Sequence, residues 1–359
     1  VTKKCTKLLD NVIDVNKFPL KQIEEMSLNT RKIGLGVMGV GDLLYELRLP
    51  YNSDEGRKFM EKLMQFIAYH SHVESMELAR KRGNLPYFNK SFYKEGRLPF
   101  RGFELEDEWE HDWKKLSEDI KKYGTRNGYT TVIAPTGSIS MIAGCSSGME
   151  PVYSLAFEKN VKVGSFYYVD PAFERALRRE GLYSEEVMQE ICENGGSVQG
   201  LENFPAKLQK AFVTAMDITP EDHIRALASF QKWVDSSISK TNNFPADATV
   251  EHMRDSYILA YKLGCKDVTV FRDSSIKNQV LVAPKKKQIE KKTEAVEIKH
   301  EMRVAGNGSA MAQKEIDSGN LVMQSESRGK TRTCPECGGQ AQIQEGCVSC
   351  KACGWALCK

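Results

Sequence analysis

The sequence predicts an α/β fold with parallel strands. Two segments have the character of buried strands: the β-branched run Thr130–Ile133 and the segment Cys265–Phe271. Long stretches with helical periodicity accompany them, notably Asp54–Arg82 and Thr249–Leu263. Strands that alternate with long helices indicate a parallel sheet, because parallel neighbours need a long crossover connection.

Composition limits the class of protein. The chain has 359 residues, of which 41% are hydrophobic, and a net charge of +3. This length predicts two domains, or one large domain with a tail, and the charge is too small to indicate a nucleic-acid partner. No apolar run could cross a bilayer and no signal peptide opens the chain, so we expect a cytoplasmic protein with no membrane partner. Because Val1 stands within a helical pattern, we expect the chain to be part of a larger protein.

The first third of the chain is predicted to be mostly helical. Residues 1–26 form a helical entry interrupted at Asn16–Pro19, with an apolar face made by Leu8, Leu9, Val12 and Ile13. Ser53 is expected to cap the helix Asp54–Arg82. Residues 84–124 are predicted to form a surface excursion that ends in a helix over Asp112–Tyr123.

Two histidines lie within the long helix, His70 and His72. Residues two positions apart point to different faces of a helix, so the pair is not expected to share a metal. We expect both to be surface residues.

A glycine motif follows the helical entry, with Gly34, Gly36 and Gly39 in the spacing G-x-G-x-x-G. In a dinucleotide-binding fold this motif comes directly after a strand, but residues 27–32 are mostly polar. We therefore expect a close-packing device. An NAD-dependent dehydrogenase remains a minor alternative.

The motif around which the chain is organised follows the strand Thr130–Ile133. Pro135 ends the strand, and the hydroxyl-rich turn that follows leads into a short helix. Unpaired N–H groups at a helix start favour anions, and Gly137 would let an oxyanion approach the backbone. We predict that this turn binds an anion through its backbone N–H groups near Gly137 and the hydroxyls of Thr136, Ser138 and Ser140. An ordinary helix cap is the alternative.

The remaining body of the domain, which we place at residues 1–283, alternates strands and helices. A strand is predicted over Ser154–Val163, and Asp170-Pro171 starts a helix that runs to Arg179. Thr219 caps a second helix, whose apolar stripe includes Ile224, Leu227, Ala228, Val234 and Ile238.

From Pro284 the composition changes to a charged and polar linker, residues 284–332, followed by a cysteine-rich tail, residues 333–359. The body holds four of the ten cysteines, Cys5, Cys145, Cys192 and Cys265. The other six lie in the tail. This distribution indicates a local cysteine site in a reducing compartment, not a disulfide framework for the whole fold.

Paired C-x-x-C units predict a zinc ribbon in this tail. One partition assigns zinc to Cys334, Cys337, Cys350 and Cys353. Another assigns zinc to Cys334, Cys337, Cys347 and Cys350, which leaves Cys353 and Cys358 as a free dithiol for thiol–disulfide exchange. The spacing favours neither.

Three segments together resemble a known family: Arg31–Leu44, Arg126–Pro151 and Gly264–Asp273. They are similar to the C-terminal half of the large-chain ribonucleotide reductases. The cysteine-rich end and the segment Val234–Pro245 look like the adenosylcobalamin-dependent class. The resemblance leaves out the linker and residues 84–124.

The resemblance implies the later strands of a ten-stranded α/β barrel and reduction of ribonucleotides by a thiyl radical, for DNA synthesis. In the family, the segment Pro135–Ser140 corresponds to the substrate-phosphate loop and the tail cysteines to a redox shuttle. The resemblance also implies adenosylcobalamin, a thioredoxin-like reductant, nucleotide effectors and an N-terminal reductase segment as partners.

Two departures from the family pattern define what this chain would contribute. The finger-loop motif that supplies the thiyl cysteine is absent, so we expect no catalytic thiyl here. The tyrosine pair of the iron-dependent class is replaced by Val270, Phe271 and Arg272, which favours a cofactor that makes its radical in place. A non-catalytic assembly module with a structural zinc ribbon is the alternative function.

Overall fold

The computed structural model describes residues 1–161, 164–202, 204–275, 332–333, 340–344, 347–350 and 356–358. Contacts divide the chain into two compact units, Val1–Asn307 and Gly308–Lys359. The predicted linker lies almost entirely outside the described residues.

The helices of the first unit are α1 (Thr2–Val15), α2 (Lys21–Thr30), α3 (Val40–Leu47), α4 (Asp54–Arg82), α5 (Trp113–Tyr123), α6 (Gly137–Ala143), α7 (Pro171–Arg179), α8 (Glu185–Glu193), α9 (Ala206–Ala211), α10 (Pro220–Gln231) and α11 (Val250–Lys262). Four short 3₁₀ turns lie between α4 and α5. Its strands are β1 (Ala156–Val161), β2 (Gly164–Val169), β3 (Thr241–Phe244) and β4 (Thr269–Arg272).

Helix caps account for several confirmed boundaries. The Ser53 hydroxyl accepts the Gly56 N–H at 3.0 Å at the start of α4, and the helix stops at Gly83, whose φ is 88°. Asp112 and Thr219 cap α5 and α10 in the same way. The end of α10 was predicted wrongly, because the chain leaves the helix after Gln231.

Four extended segments lie side by side and position the site. Residues 33–35 pair with residues 129–132, and residues 131–133 pair in turn with residues 236–239. β3 continues that third segment and pairs in parallel with β4. The predicted parallel architecture is confirmed. The predicted continuous strand Thr130–Ile133 is wrong in detail, because only single parallel bridges form, at Thr131 and at Ile133.

One hydrophobic core fills the space between this array and the helices. It includes residues of the predicted surface excursion: Tyr93, Phe100 and Trp113 are almost fully buried, and Trp113 stacks on Trp233 at 5.6 Å. The surface assignment for residues 84–124 is therefore wrong for these aromatic side chains. These side chains are buried because they pack between α4, α5 and the end of α10.

The entry helices and one histidine also differ from expectation. Leu8 and Val12 of α1 are exposed, while the buried residues of this helix are Thr6 and Asp10. Asp10 faces inward because it binds the buried guanidinium of Arg31 at 2.7 Å. His72 is fully buried, not a surface residue.

A second core cluster lies under the antiparallel hairpin of β1 and β2 and includes residues of α7, α8 and α9. Among the helices that the structure describes, none is both long and apolar enough to cross a membrane.

The second unit is an antiparallel sheet of β5 (Arg332–Thr333), β6 (Gln340–Gln344), β7 (Cys347–Cys350) and β8 (Ala356–Cys358). The strands pair in sequence order. The backbone of Cys347 lies opposite that of Cys358.

Candidate functional site

The predicted phosphate turn lies where the central extended segment ends. Ile133 is bridged to Ile238, and the chain then turns at Pro135 into α6, with Thr136 in the left-handed region at a φ of 53°. Ligands of parallel α/β sheets bind at the carboxyl ends of the strands. The turn is therefore at the edge where such a fold presents a binding site.

The backbone of this turn is free to bind an anion. Among the described residues, no carbonyl accepts the N–H groups of Gly137, Ser138 and Ile139, as expected for the first turn of a helix. All three residues are exposed, and a Cβ placed on Gly137 would meet no atom within 4 Å. The turn thus combines three donors with open space.

The hydroxyl groups of the turn play different roles. Thr136 Oγ1 accepts the N–H of Gly148 at 2.7 Å, which leaves its own proton free to donate. Ser140 is buried, and its hydroxyl contacts Gly137 O at 3.1 Å and Ser147 Oγ at 2.9 Å. Ser140 therefore holds the turn in shape, whereas Ser138 is exposed to solvent.

A buried ionic cluster fixes the start of β3. Lys240 is 1% exposed, and its ammonium group donates to Glu150 Oε2 at 2.7 Å, His223 Nδ1 at 2.9 Å and Thr241 O at 2.6 Å. Glu150 Oε1 accepts the Thr241 N–H at 2.6 Å. Every proton of Lys240 has an acceptor, which a buried ammonium needs.

The same cluster fixes the tautomer of His223. Burial and the nearby Lys240 hold its pKa well below the usual value, so the ring is neutral. Its Nε2 contacts the carbonyl of Ala215 at 2.9 Å, and a carbonyl only accepts. Nε2 therefore carries the proton, and Nδ1 accepts from Lys240.

The opposite end of the central segment is anchored by Asp235, which is fully buried. Its carboxylate accepts both the N–H and the hydroxyl of Thr130 and the N–H of Thr131, and it contacts His72 Nε2 at 3.0 Å. Burial alone would raise the pKa of Asp235, but His72 and the Thr130 donors hold it below its usual value.

The glycine motif is explained by contact with the central segment. A Cβ on Gly34 would lie 2.3 Å from Val132 Cγ1, and one on Gly36 would lie 2.3 Å from the Val132 carbonyl oxygen. Gly39 has a φ of 79° and precedes α3. These close contacts agree with the predicted packing role of the glycine motif.

Two neighbouring carboxyl groups, Asp42 of α3 and Asp170 at the start of α7, interact with each other. Burial and the neighbouring Asp42 raise the pKa of Asp170 to about 6, although Asp170 also caps α7 by accepting the Phe173 N–H at 2.9 Å. Asp42 in turn accepts the Ser146 N–H at 2.6 Å. This pair joins α3 to the segment that follows the phosphate turn.

Two cysteines of the first unit, Cys145 and Cys265, are poor nucleophile candidates. Burial raises the pKa of Cys265 to about 11, and burial and Asp42 raise the pKa of Cys145. Cys334, Cys337 and Cys353 of the tail lie outside the described residues. Cys347, Cys350 and Cys358 lie in β7 and β8.

Sequence reasoning missed Lys240, Glu150, Asp235 and His72. Their side-chain partners lie between 17 and 163 positions away. No local spacing signals such contacts. A weak signal exists for Lys240, a lysine in a segment otherwise rich in Ser, Thr and Asn.

Comparison with known proteins gives consistent results. Residues 1–271 match the family model described as "Ribonucleotide reductase, barrel domain". A vitamin B12-dependent ribonucleoside-diphosphate reductase of Thermoplasma acidophilum is 44% identical over 78% of this chain and 33% of its own length. One from Mycobacterium tuberculosis is 38% identical over 78% of this chain and 37% of its own length.

A solved structure shares the fold. The class Id ribonucleotide reductase alpha subunit of Actinobacillus ureae superposes with a TM-score of 0.60 at 23% identity, covering 76% of this chain and 46% of that one. The chain spans about a third of the length of the curated relatives it matches. On the family match over residues 1–271, this chain belongs to the ribonucleotide reductase barrel-domain family.

Proposed function

We propose that this chain supplies the substrate-phosphate site of a ribonucleotide reductase that converts ribonucleotides to deoxyribonucleotides by thiyl-radical chemistry. The observation that carries this proposal is the open turn Gly137–Ile139, with three N–H donors at the carboxyl end of the central segment. Nucleotide phosphates are among the anions that helix N-termini bind.

Within the turn, the proposed donors divide into two groups. The N–H groups of Gly137, Ser138 and Ile139 and the exposed Ser138 hydroxyl would bind the phosphate oxygens directly. Pro135 ends the strand, and Thr136 and Ser140 shape the turn through their contacts with Gly148 and Ser147.

The chain is proposed to act with the remaining part of the reductase. The relatives are about three times longer than the region they share with this chain. The finger-loop cysteine motif is absent from this sequence. The thiyl cysteine would therefore come from an N-terminal reductase segment, whether joined to this chain or separate from it.

Adenosylcobalamin is the radical source that the names of the relatives suggest. In that role it would generate the radical in place. β4 carries Val270, Phe271 and Arg272, and none of these has a phenolic proton that a relay from a separate subunit could use. This chain's own proposed steps are substrate binding and orientation.

The cysteine-rich tail is proposed to re-reduce the enzyme and to bind zinc. Cys353 and Cys358 would form the exchanging dithiol, with Cys334, Cys337, Cys347 and Cys350 as zinc ligands; the partition with Cys353 as a ligand stays open. A thioredoxin-like reductant would regenerate the dithiol. Nucleotide effectors and a cytoplasmic location complete the proposal.

Reconstitution tests this function. The chain is combined with the N-terminal reductase segment of a close relative and adenosylcobalamin, and deoxyribonucleotide formation is measured. We expect activity that Gly137→Asp abolishes, because the new carboxylate would occupy the anion site, whereas Gly137→Asn retains a measurable part. The open space around Gly137 lets both variants fold.

Two results would contradict the proposal. Turnover that depends on a diiron partner instead of cobalamin would show that the proposed adenosylcobalamin-dependent class is wrong. Equal activity of Gly137→Asp and Gly137→Asn would show that this turn does not bind the substrate phosphates. If Cys353→Ser with Cys358→Ser left dithiol-driven turnover unchanged, a structural assembly role for the tail would be favoured.

A further inference from the structure

Two histidine rings from different elements of the first unit lie side by side. His70 belongs to α4, and His111 lies in the segment just before α5. Their ring centroids are 5.7 Å apart, and their ring planes are inclined at 60°. Both residues are half-buried, so the pair is accessible from solvent. His70 therefore meets a histidine other than His72, whose ring faces Asp235.

No protein group occupies the ring nitrogens of this pair within the described part of the chain. The rings contact their neighbours by faces and edges: His70 meets Phe66 edge-on at 4.3 Å, and His111 stacks on Tyr69 at 4.7 Å. Neither ring takes part in a hydrogen bond or an ion pair there. None of the four nitrogens is enclosed away from solvent. The imidazole lone pairs are therefore available to a ligand.

Hydrogen bonds to α4 hold the two rings in position. Gln65, which precedes His70 on α4, accepts the Glu110 N–H at 2.6 Å and the Trp113 indole N–H at 3.3 Å through one side-chain oxygen. These bonds fix the segment on both sides of His111 to the helix, and Trp113 is fully buried. A pair held in this way loses little conformational entropy when it binds a ligand.

Burial favours the neutral form of both rings, which is the form that binds a metal. It lowers the pKa of His70 and of His111, and the neighbouring His111 and Lys3 lower the pKa of His70 further. A neutral imidazole has one nitrogen with a free lone pair, whereas a protonated one has none. Lys3 would repel a bound cation, but the Glu110 carboxylate, whose charge raises the pKa of His111, would attract one.

The spacing of the rings fits two ligands of one metal ion. Imidazole binds Zn²⁺ through nitrogen at about 2.0–2.1 Å, which puts the metal about 3.2 Å from the ring centroid. At a tetrahedral angle, two such rings have centroids about 5.2 Å apart, and a wider angle increases this distance to about 6 Å. The observed 5.7 Å between His70 and His111 lies within that range.

We propose that His70 and His111 together bind one divalent transition-metal ion that prefers imidazole ligands, with Zn²⁺ as the probe. Water would complete the coordination, because the described residues include no group of three or more His, Cys, Asp or Glu side chains placed to hold a metal. The site is therefore weaker than a closed site with four protein ligands. The bound ion would join α4 to the segment before α5, and its binding does not depend on the proposed function.

Zinc stoichiometry tests this site on the whole chain. Equilibrium dialysis against Zn²⁺ counts the bound ions for wild type, His70→Gln, His111→Gln and the double variant. The tail cysteines are present in every protein, so a difference between proteins isolates the histidine pair. His252→Gln, at an exposed histidine on α11, is the matched control because glutamine can keep the capping box with Thr249. Thermal unfolding without metal checks that each variant is folded.

We expect wild type and the control to bind one more ion than either single variant, whose affinity for that ion should fall at least about tenfold. The double variant should lose no more than each single variant, because one ion needs both rings. Zn²⁺ should also raise the unfolding temperature of wild type more than that of the His70 and His111 variants. Equal stoichiometry in wild type and the folded single variants would overturn the proposal. A loss in only one single variant, or losses that add in the double variant, would also overturn it, since either result means that the rings do not share an ion.

Discussion

The two ends of the central segment, residues 129–139, differ in almost every physical respect. At the amino end, Thr130 and Thr131 are buried and their polar groups are bonded to Asp235. At the carboxyl end, Gly137 and Ser138 are exposed and their N–H groups have no protein acceptor among the described residues. One end is saturated with internal bonds and the other keeps its donors free.

This difference shows how a barrel strand divides stability and function. A satisfied buried network holds the strand in register, and its loss costs folding free energy. Free donors at a strand end contribute little to stability but are available to a ligand without a prior bond to break. Substitutions along the segment should therefore shift from folding defects to binding defects.

The largest effect is expected at the amino end. Asp235→Ala should lower the free energy of unfolding by about 3–5 kcal/mol, because the buried donors of Thr130 and Thr131 and the ring of His72 lose their acceptor. Urea unfolding measures the change. The exposed Asp255→Ala on α11 is the control and should change stability by less than about 0.5 kcal/mol. A loss for Asp235→Ala as small as that of the control would contradict the anchoring role.

A second carboxyl group, which is half-buried, sharpens the comparison, because Asp170 faces another carboxyl where Asp235 faces donors. In the folded protein the pKa of Asp170 is about 6, above the usual 3.8. The contribution of its protonated form to the free energy of unfolding is therefore complete below about pH 4 and is lost as pH rises through 6. Asp170→Asn, which can still cap α7, should therefore become more stable than wild type by on the order of 2–3 kcal/mol as pH rises from 4 to 7. A pH-independent difference between the two proteins would contradict this account.

The middle of the segment should give an intermediate effect. Gly34→Ala places a Cβ against Val132 and should cost about 1–3 kcal/mol. Combining it with Val132→Ala should restore part of the loss, and a double-mutant cycle measures the coupling. Gly137→Ala is the control because its Cβ would enter open space. Equal stability of Gly34→Ala and wild type would show that the glycine spacing has no packing role.

The sequence predicted features that depend on local chemistry. Helix caps such as Ser53 and Thr219, the turn at Pro135 and the packing role of Gly34 follow from neighbouring residues or from restricted backbone geometry. Burial of Asp235, His72 and Lys240 could not be predicted, because their partners come from distant segments and each alone resembles a surface residue. The strand over Thr130–Ile133 proved irregular because Asp235 takes hydrogen bonds that a regular strand would give to its neighbour.

Pyrophosphate binding to two variants of Ser138 tests most directly whether the backbone of this turn binds phosphate. Ser138→Pro removes a single N–H donor from the first turn of α6, where proline fits the helix and follows a glycine. Ser138→Ala keeps that donor and removes only the hydroxyl. We expect calorimetry to show at least about a tenfold loss of affinity for Ser138→Pro, a smaller loss for Ser138→Ala, and nearly unchanged unfolding temperatures. Wild-type affinity in a folded Ser138→Pro variant would contradict the claim that the backbone of this turn binds the substrate phosphates.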